Sequence, residues 1–178
     1  PEPAEDPGFS AIAFGSGPAS PHGAMASVFV SLLYAATEEV VITNPYFVPD
    51  AALLAALLAC ARRGVRTVMI FPARNDSRVV DAISKAHYAR LVEAGVQLHA
   101  FTPGLLHAKT LVVDRQVVLL GSSNMDRRSL DLNYENNLLL CSTELASRVR
   151  RRQDEWLAES TPVEAQAVLS RSLPHRIA

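Results

Sequence analysis

Between residues 40 and 101 the chain alternates between short β-branched runs and longer helical patterns, and this rhythm limits its possible folds more than any other feature. The stretch 40–43 reads as a strand, 51–63 as a helix, 66–71 as a second strand, 78–94 as a second helix and 96–101 as a third strand. Asp50 and Ser77 stand at the two helix starts, where a side-chain oxygen can accept a free backbone amide. Gly64 and Gly95 stand at the two ends, where a left-handed residue closes a helix. Strands joined through helices of this length run parallel, with right-handed crossovers and helices covering the sheet. A further helical pattern, 24–39, leads into the first strand. After residue 101, strands at 107–113 and 117–120 flank the hairpin-sized gap DRQ, and 137–142 makes another, so antiparallel strands should join the parallel ones. An amphipathic helix over 144–159 follows, with Arg148, Arg150, Arg151 and Arg152 expected on or near its wet face. The expected fold class is α/β, a mixed parallel and antiparallel β-sheet flanked by helices on both faces.

The chain has 178 residues, 49% hydrophobic and 20% charged, enough to close one sizeable core. The expected organisation is a linker or cut end over 1–13, one domain over 14–160, and a helical tail over 161–178 that stops without a natural end. The N-terminal stretch is acidic and proline-rich, with no signal-peptide core. The longest apolar run, 51–61, is well short of the roughly 20 residues that cross a bilayer. A net charge of -1 supplies no overall basic field, which argues against nucleic acid as a partner. Cys60 and Cys141 each sit in an apolar run without CxxC spacing and read as free buried thiols. No histidine cluster or carboxylate pair has metal-ligand spacing.

Titratable residues gather around the expected hairpin. In GLLHAKTLVVDRQVVLLGSSN, residues 104–124, His107 and Lys109 are two apart, so on a strand they share a face with about 7 Å between Cα atoms. Together they suit a phosphate, since an ammonium neutralises its charge and a neutral imidazole nitrogen can attack its phosphorus. Asp114 has the opposite parity and falls at the turn, where a structural aspartate bonding nearby amides is an equally good reading. Ser122 and Asn124, again two apart, can donate to phosphoryl oxygens, and Gly121 would allow close backbone approach; GSSN could equally cap a following helix. Glu135, hydrogen-bonded to one ring nitrogen of His107, would fix its tautomer and free the other nitrogen for attack. In the loop NPYFVPD, Asn44, Tyr46 and Phe47 are either a substrate loop or core caps.

The order HAKTLVVD, then GSSN, then Glu135, resembles the HxKxxxxD signature of the phospholipase D superfamily. The segments ITNPYFVPD, RRGVRTVMIFPARNDS, LVEAGVQLHAF, GLLHAK and MDRRSLDLNYENNL resemble, in order, the C-terminal half of bacterial cardiolipin synthases. The resemblance implies a transferase of phospholipid biosynthesis that forms a covalent phosphohistidine on His107 and makes cardiolipin and glycerol from two phosphatidylglycerols. It implies that Lys109, Ser122 and Asn124 hold the phosphoryl oxygens, that Glu135 orients the ring, and that Asp114 belongs with His107 and Lys109 to the catalytic set of the signature. It places the loop of Asn44, Tyr46 and Phe47 near the cleft, and implies no metal or other cofactor. It also implies work at a membrane surface, the bacterial inner membrane, through a longer parent protein. Enzymes of this kind use two such signatures, one histidine attacking and one protonating the leaving alkoxide. This sequence has one, because His22, His87, His99 and His175 lack a lysine two residues on. The expected partner is therefore a companion half or a second copy of the chain. Two alternatives remain open here: a single-motif phosphodiesterase or nuclease acting as a homodimer, and an inactive half serving as an interaction module.

Overall fold

The computed structural model describes residues 8–172. The expected alternation forms its centre. Strands β2 (Glu39–Thr43), β4 (Arg66–Pro72) and β5 (Gln97–Phe101) pair in parallel, and helices α2 (Ala51–Arg62) and α3 (Arg78–Glu93) make the two crossovers. Both helices start on the foreseen caps: Leu53 N–H donates to Asp50 Oδ1 at 2.7 Å and Val80 N–H to Ser77 Oγ at 3.4 Å. Gly64 and Gly95 follow them at φ 88° and 96°, the left-handed backbone that glycine accepts without a Cβ clash.

The antiparallel half consists of β6 (Thr110–Val113), β7 (Val117–Gly121) and β9 (Glu135–Cys141), with β6 paired to β2. Two further strands extend the sheet to eight. β1 (Ser10–Ser16) pairs antiparallel with β9, and β10 (Ser160–Pro162) pairs antiparallel with β5, giving the order β1-β9-β7-β6-β2-β4-β5-β10. The sheet thus reaches into both segments that the sequence suggested were linker and tail. Glycine, serine and alanine in β1 carry little strand propensity, and its register comes from β9, a tertiary contact. Helix α6 (Ala165–Ser172) lies in the expected tail; residues 1–7 and 173–178 of these two segments fall outside the described residues.

Period-two alternation distributes the core to both faces. Val40 and Ile42 of β2 face the larger cluster, with Phe29 and Leu33 of α1 (Ala24–Ala35), Leu53 and Leu57 of α2, and Leu91 of α3. Val41 faces the other way, toward Val68, Ile70 and the partly buried Trp156 of α5 (Thr143–Ala158). The helical stripe of α5 turns Ala146, Arg150 and Gln153 inward, so Arg150, expected at the wet face, is 2% exposed. Its Nε donates to Glu39 Oε1 at 3.0 Å and its Nη1 reaches Asp154 Oδ1 at 2.6 Å. Burial works against the Glu39 carboxylate, but the hydrogen bond and charge of Arg150, with Arg66 and Arg115 beside it, hold its pKa below the ordinary value. Cys60 is a free buried thiol, whereas Cys141 is exposed, because alternation along β9 buries Leu140 and turns its neighbour outward.

Candidate active site

His107 and Lys109 lie in the segment between β5 and β6, at the end of the sheet where the parallel strands finish. The expected strand 107–113 is shorter, beginning at Thr110, although Gly121 N–H still donates to the Lys109 carbonyl at 3.3 Å and ties this segment to β7. The imidazole is exposed. Lys109 Nζ stands 3.2 Å from both Nδ1 and Nε2 of His107 and donates to the His107 carbonyl at 2.9 Å. Burial pushes the Lys109 ammonium below its ordinary pKa, opposed by the carboxylates of Glu135 and Asp126. A partly desolvated cation beside an exposed imidazole is a site that gains from an incoming anion.

The returning strand brings the second group. Gly121 is the position where β7 and β9 approach too closely for any side chain; a Cβ there would run into the Asn136 carbonyl and into Asn137. Beyond it, Ser122 is exposed, and its Oγ accepts from Asn136 N–H at 2.9 Å and lies 3.4 Å from the Asn136 carbonyl. Ser123 is buried and paired to Asn137, whose Nδ2 donates to Ser123 Oγ at 2.9 Å. Asn124 Oδ1 is buried and has no hydrogen-bond partner among the described residues. The following helix, α4 (Arg127–Asp131), is capped by Asp126, which accepts Ser129 N–H at 2.9 Å; GSSN is not its cap.

Glu135 corrects an expectation. Its Oε1 accepts from Ser129 Oγ at 2.7 Å and from Asn133 Nδ2 at 3.3 Å, and the ring of His107 is not among its hydrogen-bond partners. The physical reason is local: α4 sets Ser129 beside the start of β9, and the same Ser129 Oγ accepts Asn124 N–H at 2.8 Å. Glu135 thus supports the Asn124 loop and sends charge toward Lys109. Sequence reasoning missed Ser129; the three-residue interval from capping Asp126 was its only signal.

The loop after β2 also divides. Asn44 is 2% exposed and Phe47 is fully buried, so both side chains pack in the interior, Asn44 beside a small cavity that Lys109 also lines. Asn44 is a tie: its Oδ1 accepts Tyr46 N–H and Met125 N–H, each at 3.2 Å, and its Nδ2 reaches the Ser123 carbonyl at 3.4 Å. It joins this loop to GSSN alongside the small parallel pair of β3 (Phe47–Val48) and β8 (Met125–Asp126). Tyr46 is half-buried and reaches the site, its ring edge-on to that of His107 with 6.1 Å between centroids. Its hydroxyl lies 2.7 and 2.8 Å from the Asp76 carboxylate oxygens, and this bond pushes its pKa up to about 12. Asp76 was not foreseen, although loops at the carboxyl ends of parallel strands are where such sheets place ligand contacts.

Asp114 sits at the other end of β6. It accepts four hydrogen bonds, from Thr37 N–H at 2.9 Å, Thr37 Oγ1 at 2.8 Å, and the N–H groups of Glu38 and Glu39 at 2.8 Å each. Partial burial disfavours its charge, but these donors prevail and hold its pKa below the ordinary value. With Arg115 it adopts positive φ, 50° and 55°, in the hairpin turn closed by Gln116 N–H on the Val113 carbonyl at 2.9 Å. Asp114 therefore sits in the turn, as one reading had it, but its bonds cross to residues 37–39 at the start of β2 instead of to its own turn, and the catalytic expectation for it gives way to this structural role.

Among the described residues, no group of three or more His, Cys, Asp or Glu side chains is placed to hold a metal ion. Among them too, no helix is long and apolar enough to cross a membrane.

Residues 29–156 match the protein family described as "Cardiolipin synthase, PLD-like domain". Cardiolipin synthase A from Yersinia pseudotuberculosis is 36% identical over 173 residues, which cover 97% of this chain and 36% of that protein. The chain therefore spans about a third of the length of the curated relatives it matches. Among solved structures, Nuc from Salmonella typhimurium, a phospholipase D family member, superposes with a TM-score of 0.74 at 18% identity, over 87% of this chain and 99% of that one. Phosphatidylserine synthase from Haemophilus influenzae gives 0.73 at 19% identity, over 87% of this chain and 40% of that one. At these identities the structural likenesses speak to the fold.

Proposed function

Because the chain belongs to the phospholipase D-like domain family of cardiolipin synthases, we propose that it carries one catalytic half of a phosphatidyl transferase that makes cardiolipin and glycerol from two phosphatidylglycerols. The observation that carries this reading is the exposed His107 ring with the Lys109 ammonium 3.2 Å from its nitrogens. A neutral ring nitrogen attacks the phosphorus of one phosphatidylglycerol, an N–P bond forms, and the P–O bond to glycerol breaks. The glycerol alkoxide takes a proton from a general acid. A hydroxyl of the second phosphatidylglycerol then attacks phosphorus, the N–P bond breaks, and the same acid, now a base, accepts the hydroxyl proton. Lys109 neutralises the phosphoryl oxygens, while Ser122 and Asn124 donate to them.

The general acid is a second histidine, since His107 is the nucleophile and this sequence carries one HxKxxxxD signature. It comes from a companion half or from a second copy of the chain, and the lipid arrives from a membrane surface. Asp114 holds the strand and takes no part in bond making.

The test is product analysis. Vesicles of phosphatidylglycerol incubated with the chain as a dimer, or together with a companion half, should yield cardiolipin and glycerol by mass spectrometry, with phosphatidic acid where water replaces the acceptor. Turnover should be lost in His107→Ala. Lipid turnover that survives that substitution contradicts the assignment; strand cleavage of DNA without lipid turnover would transfer it to the nuclease class.

A further inference from the structure

The His107 ring has two nitrogens, and a phosphoryl transfer needs one of them aimed at phosphorus. Lys109 cannot choose between them, because its Nζ lies 3.2 Å from each. Glu135 does not choose either, because its hydrogen bonds go to Ser129 and Asn133. Among the described residues the ring also contacts Tyr46, in a T-shaped pair with 76° between the planes. A ring–ring contact of defined angle favours one rotation of the imidazole about its Cβ–Cγ bond, and that rotation sets which nitrogen is presented to a ligand.

Tyr46 is itself fixed at three points. Its backbone N–H is held by Asn44 Oδ1 at 3.2 Å, and its hydroxyl donates to Asp76, 2.7 Å from the nearer oxygen. The carbonyl of the preceding residue, Pro45, accepts Asn75 Nδ2 at 2.8 Å. Asn75 and Asp76 are held in turn by the start of α3, where Ser77 N–H donates to Asn75 Oδ1 at 2.9 Å and the Ser77 hydroxyl caps the helix. With its pKa raised to about 12, the phenol stays protonated and keeps donating to Asp76 at any working pH.

We infer that Tyr46, anchored by Asp76, is a positioning residue that sets the orientation of the His107 ring and so selects which of its nitrogens forms the bond to phosphorus. The inference rests on the proposed role of His107 as nucleophile, but it does not require the phosphoryl donor to be a lipid. It also accounts for a solvent-facing tyrosine–aspartate bond in a loop where the flanking Asn44 and Phe47 are buried.

The experiment uses phosphoramidate, a small water-soluble donor. A histidine nitrogen bonds to phosphorus, the P–N bond to ammonia breaks, and ammonia leaves with the proton. Peptide mapping gives the extent of labelling at His107, and phosphorus NMR gives the ratio of the two ring isomers. His22, whose side chain is 80% exposed, serves as the internal rate reference. The unsubstituted chain should label His107 predominantly at one nitrogen. Tyr46→Ala should give both isomers, with labelling at His107 lowered roughly tenfold relative to His22. Tyr46→Phe and Asp76→Ala, which cut the anchor and leave the core intact, should shift the isomer ratio part of the way. Asp76→Asn should restore it, since its amide oxygen accepts the same hydroxyl.

An isomer ratio and rate unchanged in both Tyr46→Ala and Asp76→Ala overturn the inference. If Tyr46→Ala fails to fold by circular dichroism, Asp76→Ala at its exposed site decides alone. A selective His107 that phosphatidylglycerol never labels would remove the lipid reading and leave the positioning role standing. Lipid labelling with no isomer preference would do the reverse.

Discussion

At one end of β6, Asp114 accepts four hydrogen bonds and knits the hairpin turn to the start of β2. At the other, His107 touches Lys109 and Tyr46, and the loop after β7 carries a buried Asn124 amide oxygen without a hydrogen-bond partner among the described residues. The residues belong to one signature and one short stretch of chain, yet one end is saturated with partners and the other is left wanting them. A saturated carboxylate is a stability device, and its low pKa is the sign that its charge is already used. A lysine whose pKa is pushed down by burial is held in a costly state, which an anionic ligand would relieve. The contrast teaches that a sequence signature can be split between chemistry and architecture, with the strand carrying the geometry from one to the other.

Substitutions should separate the ends, beginning with the largest effect. His107→Asn should lower phosphatidyl labelling by roughly 10⁴-fold or more, as removal of a nucleophile does. Because that ring is exposed, thermal unfolding should move by no more than about 0.5 kcal/mol in stability. Lys109→Met should cost about 10²- to 10³-fold in labelling rate, while unfolding shows equal or greater stability. The sign follows from the lowered folded pKa: the unfolded chain holds the proton more tightly, so the native protein gains stability as pH rises toward 10.5. Any advantage of Lys109→Met should therefore be present at neutral pH and vanish above that value.

Asp114→Ala should reverse the pattern, losing about 2 to 3 kcal/mol in denaturant unfolding after allowance for water screening at this half-exposed site. Labelling per folded molecule should stay near that of the unsubstituted chain. Its pH dependence has the opposite sign: the contribution is whole above 3.8, the unperturbed value, and is lost as pH falls through the lower folded value. Unfolding curves of the two proteins should therefore converge in acid. Smallest is Ser122→Ala, with a few-fold change in labelling and little change in stability, because Asn136 N–H can turn to water at that exposed position.

Much of the fold was legible because it rests on local chemistry. The caps at Asp50 and Ser77, the stops at Gly64 and Gly95, and the alternation of β2, β4 and β5 act within a few residues of chain. What escaped was set by distant contacts. β1 acquires its register from β9, and β10 from β5, so neither announces itself in composition. Arg150 looked solvated beside three other arginines, but the partner that permits its burial, Glu39, lies 111 residues away. Within the site, the spacing of His107 and Lys109 was readable because a two-residue interval constrains where side chains fall. The Tyr46–Asp76 bond was not, since it depends on which loop the fold brings alongside; the partners of Glu135 lie only two and six residues away, but reach it through the short helix α4, which no strong pattern announces.

The central claim is that phosphorus bonds to the His107 end of the signature while the Asp114 end only holds the strand. The most direct measurement is to incubate the unsubstituted chain and Asp114→Asn with radiophosphorus-labelled phosphatidylglycerol, quench in alkali, and map the label by peptide. The account expects acid-labile label on the peptide containing His107 in both proteins, in proportion to the folded fraction of each. Label on any other residue, or its loss in an Asp114→Asn protein that remains folded, would contradict it.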